Sequence, residues 1–372
     1  MSTFLQLGIN KDYIKALNEL GIKKPTQIQE IAIPILLSAP TDLVGLAQTG
    51  TGKTAAYGLP LLHTIDPKKN VIQALVLAPT RELVQQIQKQ LFRFTKYYPE
   101  KIFSEGVYGG EKIDIQIKNL TRPTHIIVAT PGRLMDLLER GKIDITNIKT
   151  LVLDEADEML SMGFKQDINK ILESTNGKRN TWLFSATMPE EIKKIIKTYM
   201  AVDAARVEVN KNSLVNENIS HHYIKTTIEE KVNLIVRLLD DMPKDRGIIF
   251  CRTKAGTQKL VEVLKEDGYN VGALEGDMQQ RDRDKVMRAF KNESLQILVS
   301  TDVSARGIDV NNLGFVLHYQ LPDQIEYYTH RSGRTARAGK TGNSIALILP
   351  SELQDIQKMQ KELGIKFKEM IF

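Results

Sequence analysis

Short apolar runs alternate with longer amphipathic segments along this chain. The run "QALVLAPT" is followed by "RELVQQIQKQLFRF", and "NTWLFSATM" is followed by "PEEIKKIIKTYM". Continuous apolar runs are typical of strands that are buried on both faces, whereas apolar positions recurring about every three to four residues predict helices. Strands that alternate with helices form parallel sheets covered by helices on both faces. The sequence therefore predicts an α/β fold.

The alternation stops once, at the polar and aperiodic stretch "NKNSLVNENIS". We interpret residues 210–218 as a flexible linker between one domain at 1–209 and a second domain at 219–372. A length of 372 residues also suits two domains better than one core. Unusual polar residues follow the strands in both halves, and ligands of parallel sheets bind beyond the strands' carboxyl ends. We therefore expect an active site between the halves.

Composition narrows the class of protein. Hydrophobic residues make up 42% of the chain and charged residues 26%, which excludes a disordered chain. No apolar run is long enough to span a bilayer and no secretory signal is visible, so we expect a cytoplasmic protein. Cys251 is the single cysteine, which excludes a disulfide framework; in the strand "GIIFCRT" a buried thiol is expected over a reactive one. The net charge of +6 favours a polyanionic partner.

A glycine-rich turn precedes a predicted helix at "AQTGTGKT", residues 47–54. Gly50 and Gly52 would let backbone N–H groups surround a phosphate, Lys53 would reach the terminal phosphates, and the Thr54 hydroxyl would bind Mg²⁺. Ala47 stands where the general pattern has a glycine. The motif alone leaves a plain flexible turn as the alternative.

Four acids in five positions follow the apolar strand of "TLVLDEADEM". A phosphate loop needs an acidic Mg²⁺ ligand at the end of a neighbouring strand, and Asp154 is placed for that role. Glu155 would orient and deprotonate the attacking water. The alternative, a solvated acidic helix start, explains one or two carboxylates. Together with the upstream loop, the cluster favours nucleotide hydrolysis.

Further motifs occur in order from Phe4 to about Leu349: "PTREL", "TPGR", "DEAD", "SAT" and "HRSGRTARAG". With "AQTGTGKT" they resemble the DEAD-box RNA helicases of superfamily two. The resemblance implies two tandem RecA-like domains, each a mostly parallel sheet covered by helices on both faces, joined by a flexible linker. It also implies ATP and Mg²⁺ as cofactors and RNA as the partner. We expect a monomer.

The resemblance assigns nucleotide contacts as well. "GIKKPTQIQ" resembles the family's adenine-reading motif, in which the Gln29 amide matches the donor and acceptor of adenine's outer edge. Ile22 stands where many relatives have an aromatic residue, and Asp309 resembles the family's ribose contact. The implied nucleotide-binding residues are Phe4, Ile22, Lys24, Thr26, Gln29, Ala47, Gln48, Thr49, Gly50, Thr51, Gly52, Lys53, Thr54 and Asp309.

The resemblance of "HRSGRTARAG" implies that Arg334 and Arg337 stabilise charge on the transferred phosphoryl group. It also implies that His330 supports the motif, whereas Arg331 could have a purely structural role. Ser332 and Ala336 depart from the commonest family wording, isoleucine and glycine. In the family the hydroxyls of "SAT" bond the last acid of "DEAD" and couple hydrolysis to domain movement. The implied catalytic residues are Lys53, Asp154, Glu155, Arg334 and Arg337, and the implied coupling residues are Asp157, Ser185, Thr187 and His330.

The loops implied to bind RNA offer arginine forks, hydroxyls and glycine turns, which suit phosphates. Aromatic residues are only 6% of the chain, so we expect contacts with the sugar–phosphate backbone and little sequence preference. The implied residues are Pro79, Thr80, Arg81, Gly109, Gly110, Thr130, Pro131, Gly132, Arg133, Arg252, Thr253, Gln280, Arg283, Thr301 and Asp302.

The sequence therefore predicts an RNA-dependent ATPase that unwinds short duplexes locally or remodels RNA–protein complexes as ATP closes the two domains. Three alternatives stay open at this point. They are an ATP-dependent RNA clamp with little unwinding, a DNA translocase of related architecture, and a small-molecule kinase with a phosphate loop.

Overall fold

The apolar runs of the sequence form the strands of two seven-stranded sheets in the computed structural model. The structure describes residues 2–48, 50–175, 179–209, 218–305, 310, 313–336 and 340–371. The chain divides into two units, Met1–Val209 and Asn210–Phe372. Most of the predicted linker, residues 210–217, lies outside the described residues.

The first unit alternates strands and helices after two N-terminal helices. Its strands are β1 (Leu43–Leu46), β2 (Ala74–Leu77), β3 (Ser104–Val107), β4 (Ile126–Ala129), β5 (Thr150–Leu153), β6 (Asn180–Ser185) and β7 (Ala205–Glu208). Its helices are α1 (Lys11–Glu19), α2 (Gln27–Ser38), α3 (Lys53–Thr64), α4 (Arg81–Phe94), α5 (Ile113–Leu120), α6 (Pro131–Glu139), α7 (Ala156–Ser161), α8 (Lys165–Ser174) and α9 (Glu190–Tyr199).

The strands of the first unit lie in the order β3-β4-β2-β5-β6-β1-β7, and every neighbouring pair is parallel. Alternate residues of one strand therefore point to opposite faces. Val152 of β5 packs in one apolar core and Leu151 and Leu153 pack in the other. Helices cover both faces, as the sequence predicted. Because all carboxyl ends meet at one edge, the loops after β1, β2, β4, β5 and β6 share that edge.

The second unit repeats this design. Its strands are β8 (Ile219–Lys225), β9 (Gly247–Phe250), β10 (Val271–Leu274), β11 (Ile297–Ser300), β12 (Phe315–His318), β13 (Gly342–Ile348) and β14 (Phe367–Glu369). Its helices are α10 (Lys231–Asp241), α11 (Lys254–Glu266), α12 (Gln280–Lys291), α13 (Asp302–Ala305), α14 (Ile325–Ser332), a short 3₁₀ helix (Pro350–Glu352) and α15 (Leu353–Leu363).

The second sheet has the order β10-β11-β9-β12-β13-β8-β14 and is also parallel throughout. Numbered within its own unit, each sheet follows the same sequence of strands, 3-4-2-5-6-1-7. Cys251 follows β9 and is fully buried, and burial raises the pKa of its thiol to about 12. The expectation of a buried thiol is therefore confirmed. No helix within the described part of the chain has the length and apolar character to cross a membrane.

Candidate active site

The glycine-rich turn connects β1 to α3 at the carboxyl edge of the first sheet. Gly52 is the residue before α3 and has φ of 89°, and Gly50 has φ of 81°. These left-handed values favour glycine, because a side chain there meets its own backbone. The turn therefore adopts its shape only because of these glycines, and it presents the N-terminus of a twelve-residue helix.

Gln29 of α2 holds the turn from the side. Its Oε1 accepts a hydrogen bond from the Thr26 backbone N–H at 3.0 Å, and its Nε2 donates to the Gly52 carbonyl at 2.9 Å. An amide has two N–H donors and an oxygen with two lone pairs, so each end retains one further position for an adenine. Phe4 is buried in the core beside α2, Ile22 packs against that core, and Lys24 and Thr26 are exposed.

The Lys53 side chain is folded into the turn. It is 6% exposed, and its Nζ donates to the Ala47 carbonyl at 3.0 Å. The Thr51 hydroxyl donates to the Gln48 carbonyl at 2.8 Å. Both contacts hold the loop around the position that a phosphate would take. Thr49, which the resemblance also assigns to the nucleotide, lies outside the described residues.

Asp154 follows β5 and is 2% exposed. Its Oδ2 accepts a hydrogen bond from the Tyr57 hydroxyl at 2.8 Å, whereas Oδ1 has no hydrogen-bond partner among the described residues. Burial raises the pKa of Asp154, and the Lys53 ammonium and the hydrogen bond from Tyr57 act in the opposite direction. A buried carboxylate oxygen without a donor fits a hard divalent cation such as Mg²⁺. Thr54 and Asp154 are the residues that could hold it.

Glu155 has an unusual backbone conformation. Its φ and ψ are both 52°, which places a residue other than glycine in the left-handed region directly before α7. Such conformations cost about 1–3 kcal/mol and occur preferentially at functional sites. The strain thus marks the residue that sequence reasoning selected as the base.

Asp157 and Thr187 join the loop after β5 to the loop after β6. Asp157 Oδ2 accepts hydrogen bonds from both the backbone N–H and the hydroxyl of Thr187, each at 2.8 Å. Ser185 differs from the expectation, because its hydroxyl donates to the Thr187 carbonyl at 2.8 Å instead of reaching Asp157. The reason is position: Ser185 is the last residue of β6 and is fully buried, so it acts on Asp157 only through Thr187.

Three loops with predicted RNA contacts lie together after β2, β3 and β4, which are neighbours in the sheet. Thr80 caps α4 by accepting a hydrogen bond from the Leu83 backbone N–H, with Pro79 buried before it. The Arg81 guanidinium donates to the Gly110 carbonyl at 3.3 Å and lies over the Tyr108 ring at 5.1 Å. Gly110 has φ of 80°, beside Gly109.

The third loop, Thr130 to Arg133, is tied to the glycine pair by its arginine. Both terminal nitrogens of Arg133 donate to the Glu111 carbonyl at 3.1 Å, and Nη1 also donates to Gln116 Oε1 at 2.9 Å. Pro131 occupies the first position of α6, where its missing N–H costs nothing, and Gly132 follows it. Arg133 thus fixes the shape of the surface and is mostly buried itself.

In the second unit the predicted RNA residues also sit where strands end. Arg252 donates from Nε to the Leu321 carbonyl at 2.9 Å and pairs with Asp323 at 3.2 Å. Thr253 caps α11 by accepting from the Gly256 backbone N–H. Gln280 donates a hydrogen bond to Asp284. Ser304 is contacted by two of the predicted residues: Arg283 donates to its carbonyl at 2.7 Å, and the Thr301 hydroxyl lies 3.0 Å from its hydroxyl.

Asp302 forms an ion pair within the second unit. The Arg331 guanidinium, 1% exposed, donates from Nε and Nη2 to the two Asp302 oxygens at 2.5 and 2.7 Å. The Asp302 carboxylate is thus engaged by Arg331, and its contact with RNA stays a prediction. Arg331 also donates to the Gln320 carbonyl and lies over the Phe250 ring, contacts that agree with a structural role.

The motif with the predicted phosphate-stabilising arginines spans the end of α14. Arg334 is buried, and its Nε donates to the His330 carbonyl at 3.2 Å. Ala336 has φ of 54°, which explains why glycine is the common residue there. Arg337 and Asp309 lie outside the described residues.

Ser332, where isoleucine is usual, belongs to a buried polar cluster. Its hydroxyl lies 2.9 Å from that of Ser344, which is also 3.0 Å from His318 Nε2 and 3.1 Å from the Tyr328 hydroxyl. The Tyr328 hydroxyl in turn lies 2.7 Å from His221 Nδ1. Burial lowers the pKa of His221 to about 4 and that of His318 well below its usual value. Both rings are therefore neutral in the folded unit near pH 7.

Comparison with known proteins decides the family. Residues 26–195 match the family model described as DEAD/DEAH box helicase, and residues 230–339 match the helicase conserved C-terminal domain. ATP-dependent RNA helicase CshA of Limosilactobacillus reuteri is 42% identical over 358 residues, which cover 96% of this chain and 71% of that protein. The chain belongs to the DEAD-box ATP-dependent RNA helicases.

Solved structures agree with this membership. S. cerevisiae Dbp5 bound to RNA and ADP BeF3 is 31% identical with a TM-score of 0.91, over 100% of this chain and 96% of that one. Mss116p bound to ssRNA and AMP-PNP is 29% identical with a TM-score of 0.88, over 100% and 80%. The predicted fold, two tandem RecA-like domains with parallel sheets covered by helices, is confirmed for this DEAD-box helicase.

Sequence reasoning on this DEAD-box helicase missed several residues that touch the site. Tyr57 is the most direct of them, since its hydroxyl contacts Asp154. The signal was its spacing of four from Lys53 on one helix face, together with the need of a buried tyrosine for a hydrogen-bond partner. Tyr108 and Gln116, which brace Arg81 and Arg133, carried no comparable signal.

Proposed function

We propose that this chain is an RNA-dependent ATPase that separates short RNA duplexes locally or remodels RNA–protein complexes. The observation that carries the proposal is the buried Asp154 carboxylate with an unpartnered oxygen, beside the phosphate loop and next to Glu155. The curated relative is named an ATP-dependent RNA helicase, and two similar structures hold RNA with a nucleotide analogue. The first domain would comprise residues 1–209, the linker 210–218 and the second domain 219–372.

The phosphate loop would bind the nucleotide through its backbone N–H groups, as the left-handed turns at Gly50 and Gly52 support. Lys53 would exchange its hydrogen bond with the Ala47 carbonyl for the terminal phosphates of ATP. Gln29 would read adenine with the amide positions that Thr26 and Gly52 leave available. These contacts bind and orient ATP for hydrolysis.

Thr54 and Asp154 would hold Mg²⁺, which when bound neutralises negative charge on the phosphates. Glu155 would accept the proton of the attacking water, a role that typically contributes about 10²–10⁴ in rate. Arg334 and Arg337 would stabilise charge on the transferred group, an effect of about 10³–10⁵. Because these arginines belong to the second domain, hydrolysis would require that the two domains close on ATP.

RNA would bind across the loops that contain Arg81, Gly110 and Arg133 in the first domain and Arg252 and Arg283 in the second. The glycines and helix starts offer N–H groups and the arginines offer charge, which suits a phosphate backbone. The arginines' bonds to backbone carbonyls hold these loops in shape without a nucleic acid. Binding should therefore be insensitive to sequence and weaken with salt.

The test is ATP hydrolysis with single-stranded RNA, duplex RNA or single-stranded DNA, on the wild type, Glu155→Gln and Glu139→Gln. Glu139 is an exposed glutamate at the end of α6 and serves as the control. We expect RNA to stimulate hydrolysis more than DNA, and Glu155→Gln to lose about 10²-fold or more. Equal stimulation by DNA would overturn the RNA assignment, and full activity in Glu155→Gln would overturn the assigned base.

Strand displacement on a short RNA duplex separates local unwinding from clamping. A wild type that hydrolyses ATP, releases RNA after hydrolysis and displaces the strand supports the proposal. Persistence on RNA without displacement would identify a clamp. Displacement that improves as the duplex lengthens would instead identify a translocase.

A further inference from the structure

Tyr57 lies at the centre of the first unit and none of the roles assigned above uses it. It is fully buried, and its ring packs against Phe184 of β6 with centroids 5.3 Å apart. It follows Lys53 by four residues on α3, so the two side chains lie on the same helix face. That face is turned toward the end of β5, where Asp154 begins the acidic cluster.

The Tyr57 hydroxyl donates to Asp154 Oδ2 at 2.8 Å. The last torsion of a carboxylate side chain is broad and roughly two-fold, because it is a bond between sp³ and sp² carbon atoms. One hydrogen bond from a rigid, packed ring therefore favours one orientation of the carboxylate plane. It also decides which oxygen is engaged by the protein, and Oδ1 is the one left without a partner among the described residues.

We propose that Tyr57 is a positioning residue for the bound metal ion: by holding Asp154 Oδ2, it presents Oδ1 to Mg²⁺. This inference rests on the proposed function of the site. A phenylalanine would pack equally well against Phe184, so packing alone does not account for the hydroxyl. Partners that orient metal ligands typically change metal affinity by about 10–100-fold when removed.

The competing explanation is purely structural. A buried hydroxyl needs a hydrogen-bond partner, and Asp154 would then be that partner without any consequence for the metal. The two explanations differ in what Tyr57→Phe changes. If the hydroxyl is only structural, Tyr57→Phe changes the stability of the protein alone. If it positions Asp154, Tyr57→Phe raises the Mg²⁺ concentration that the ATPase needs, while the affinity for nucleotide measured without Mg²⁺ stays the same.

The experiment uses the full chain as wild type, Tyr57→Phe and Tyr13→Phe. Tyr13 is a buried tyrosine of the same unit that packs against His63 and Tyr98, and it controls for the loss of a buried phenol. Binding of Mn²⁺ is measured by the loss of the free-ion signal in electron paramagnetic resonance with saturating ADP. Binding of ADP is measured separately in excess EDTA, and a Mg²⁺ titration of the ATPase follows.

We expect Tyr57→Phe to weaken Mn²⁺ binding and to raise the half-saturating Mg²⁺ concentration by about 10-fold or more, with ADP affinity in EDTA unchanged. Tyr13→Phe should match the wild type in all three measurements. Metal binding in Tyr57→Phe equal to that of the wild type overturns the inference and leaves the proposed function intact. A wild type without metal-dependent nucleotide binding overturns both.

The fold of each variant is checked by the emission of Trp182, the single tryptophan, which lies in β6 beside Phe184. Should Tyr57→Phe lose the native emission, the same titrations on Tyr57→Met decide, because methionine fills irregular volumes and also lacks the hydroxyl. Native-like emission with metal binding equal to the wild type would again overturn the inference.

Discussion

Arg331 and Asp302 form a two-pronged ion pair in which the guanidinium is 1% exposed. The pair joins α14, with the predicted catalytic arginine Arg334 just after it, to the start of α13, which follows β11. Removing one partner of a buried pair leaves the other charge uncompensated, which costs about 3–5 kcal/mol. The pair is therefore expected to support the second unit, whatever its net value against an apolar replacement.

The first prediction concerns this pair. We expect Asp302→Asn to lower the free energy of unfolding of the second unit by about 3 kcal/mol, because Arg331 stays buried without its anion. Asp323→Asn is the control, since Asp323 belongs to an exposed pair with Arg252, worth about 0–1 kcal/mol.

The measurement is urea unfolding followed by two signals. Emission of Trp182 reports the first unit alone, and circular dichroism reports both units. Asp302→Asn should lower the urea midpoint for unfolding of the second unit, which circular dichroism detects, and leave the transition reported by Trp182 unchanged. A shift no larger than that of Asp323→Asn would contradict the prediction.

The second prediction concerns pH. His221 is buried against Tyr328, and its pKa is lowered from about 6.5 to about 4. A depressed folded-state pKa means that the unfolded chain takes up the proton first, so the stability is complete above pH 6.5 and is lost as pH falls toward 4. We expect a loss of about 1.4 kcal/mol per pH unit from this residue within that window.

The check is the urea unfolding of the second unit between pH 7 and pH 5, for the wild type and His221→Gln. The variant should show a shallower dependence on pH, by about one proton. His318, which is also buried and neutral, is present in both proteins. Its contribution to the slope of the free energy of unfolding against pH is therefore common to both. Equal slopes in the two proteins would show that His221 is not the group responsible.

The third prediction concerns the hydrogen bonds between Asp157 and Thr187. Thr187→Val removes the hydroxyl bond but keeps the backbone bond, so Asp157 loses one of its two hydrogen bonds from Thr187. If this contact couples hydrolysis to domain movement, the rate of strand displacement should fall by about tenfold or more. A tenfold loss corresponds to about 1.5 kcal/mol, which is the value of one hydrogen bond to a carboxylate. RNA-stimulated hydrolysis should change much less.

Thr187→Ser keeps the hydroxyl and is the matched variant; it should retain both activities. The two activities are measured on the same RNA duplex under the same conditions. A parallel loss of both in Thr187→Val would assign Thr187 to hydrolysis itself instead of to coupling.

The fourth prediction concerns Gly52. An added methyl group meets the left-handed strain at φ of 89° and also runs into the Gln29 amide and the Thr26 hydroxyl. We expect Gly52→Ala to weaken ATP binding by at least tenfold. The backbone strain costs about 1–2 kcal/mol, and the added methyl group also displaces the Gln29 amide. Fluorescence titration with a labelled nucleotide measures the affinity.

Gly141→Ala provides the comparison. Gly141 also has a left-handed φ, of 62°, but open space surrounds it, and it lies in the turn after α6. Its substitution should reduce stability and leave the affinity for nucleotide unchanged. Equal affinities for Gly52→Ala and the wild type would show that the turn tolerates displacement of Gln29.

Local pattern was enough to predict the fold and the loops that form the site. Continuous apolar runs such as "TLVL" gave buried strands, and positions after strand ends gave the shared edge on which Gly52, Asp154 and Thr187 lie. These features depend on residues close in sequence, where spacing and turn chemistry act directly.

What the sequence did not reveal depends on contacts between distant residues. Tyr57 and Asp154 are separated by 97 positions and Arg331 and Asp302 by 29, so nothing in the local pattern shows that either pair is in contact. The partner of Ser185 could not be predicted either, although it is only two residues away. The sequence does not show whether a serine hydroxyl donates to a backbone carbonyl or to a carboxylate. Side-chain geometry, not residue type, decided these cases.

The identical strand order of the two sheets allows their loops to be compared position by position. The seven-strand path is shared by both units, and it puts β1 and β8 in corresponding places. After β1 the chain carries Gly50 and Gly52; after β8 it carries Glu229 and Glu230, which repel phosphate. The counterpart of the glycine-rich turn in the second unit is therefore unsuited to a phosphate, so the two units are alike in the path of their strands and unlike in the chemistry of the loop after the first strand.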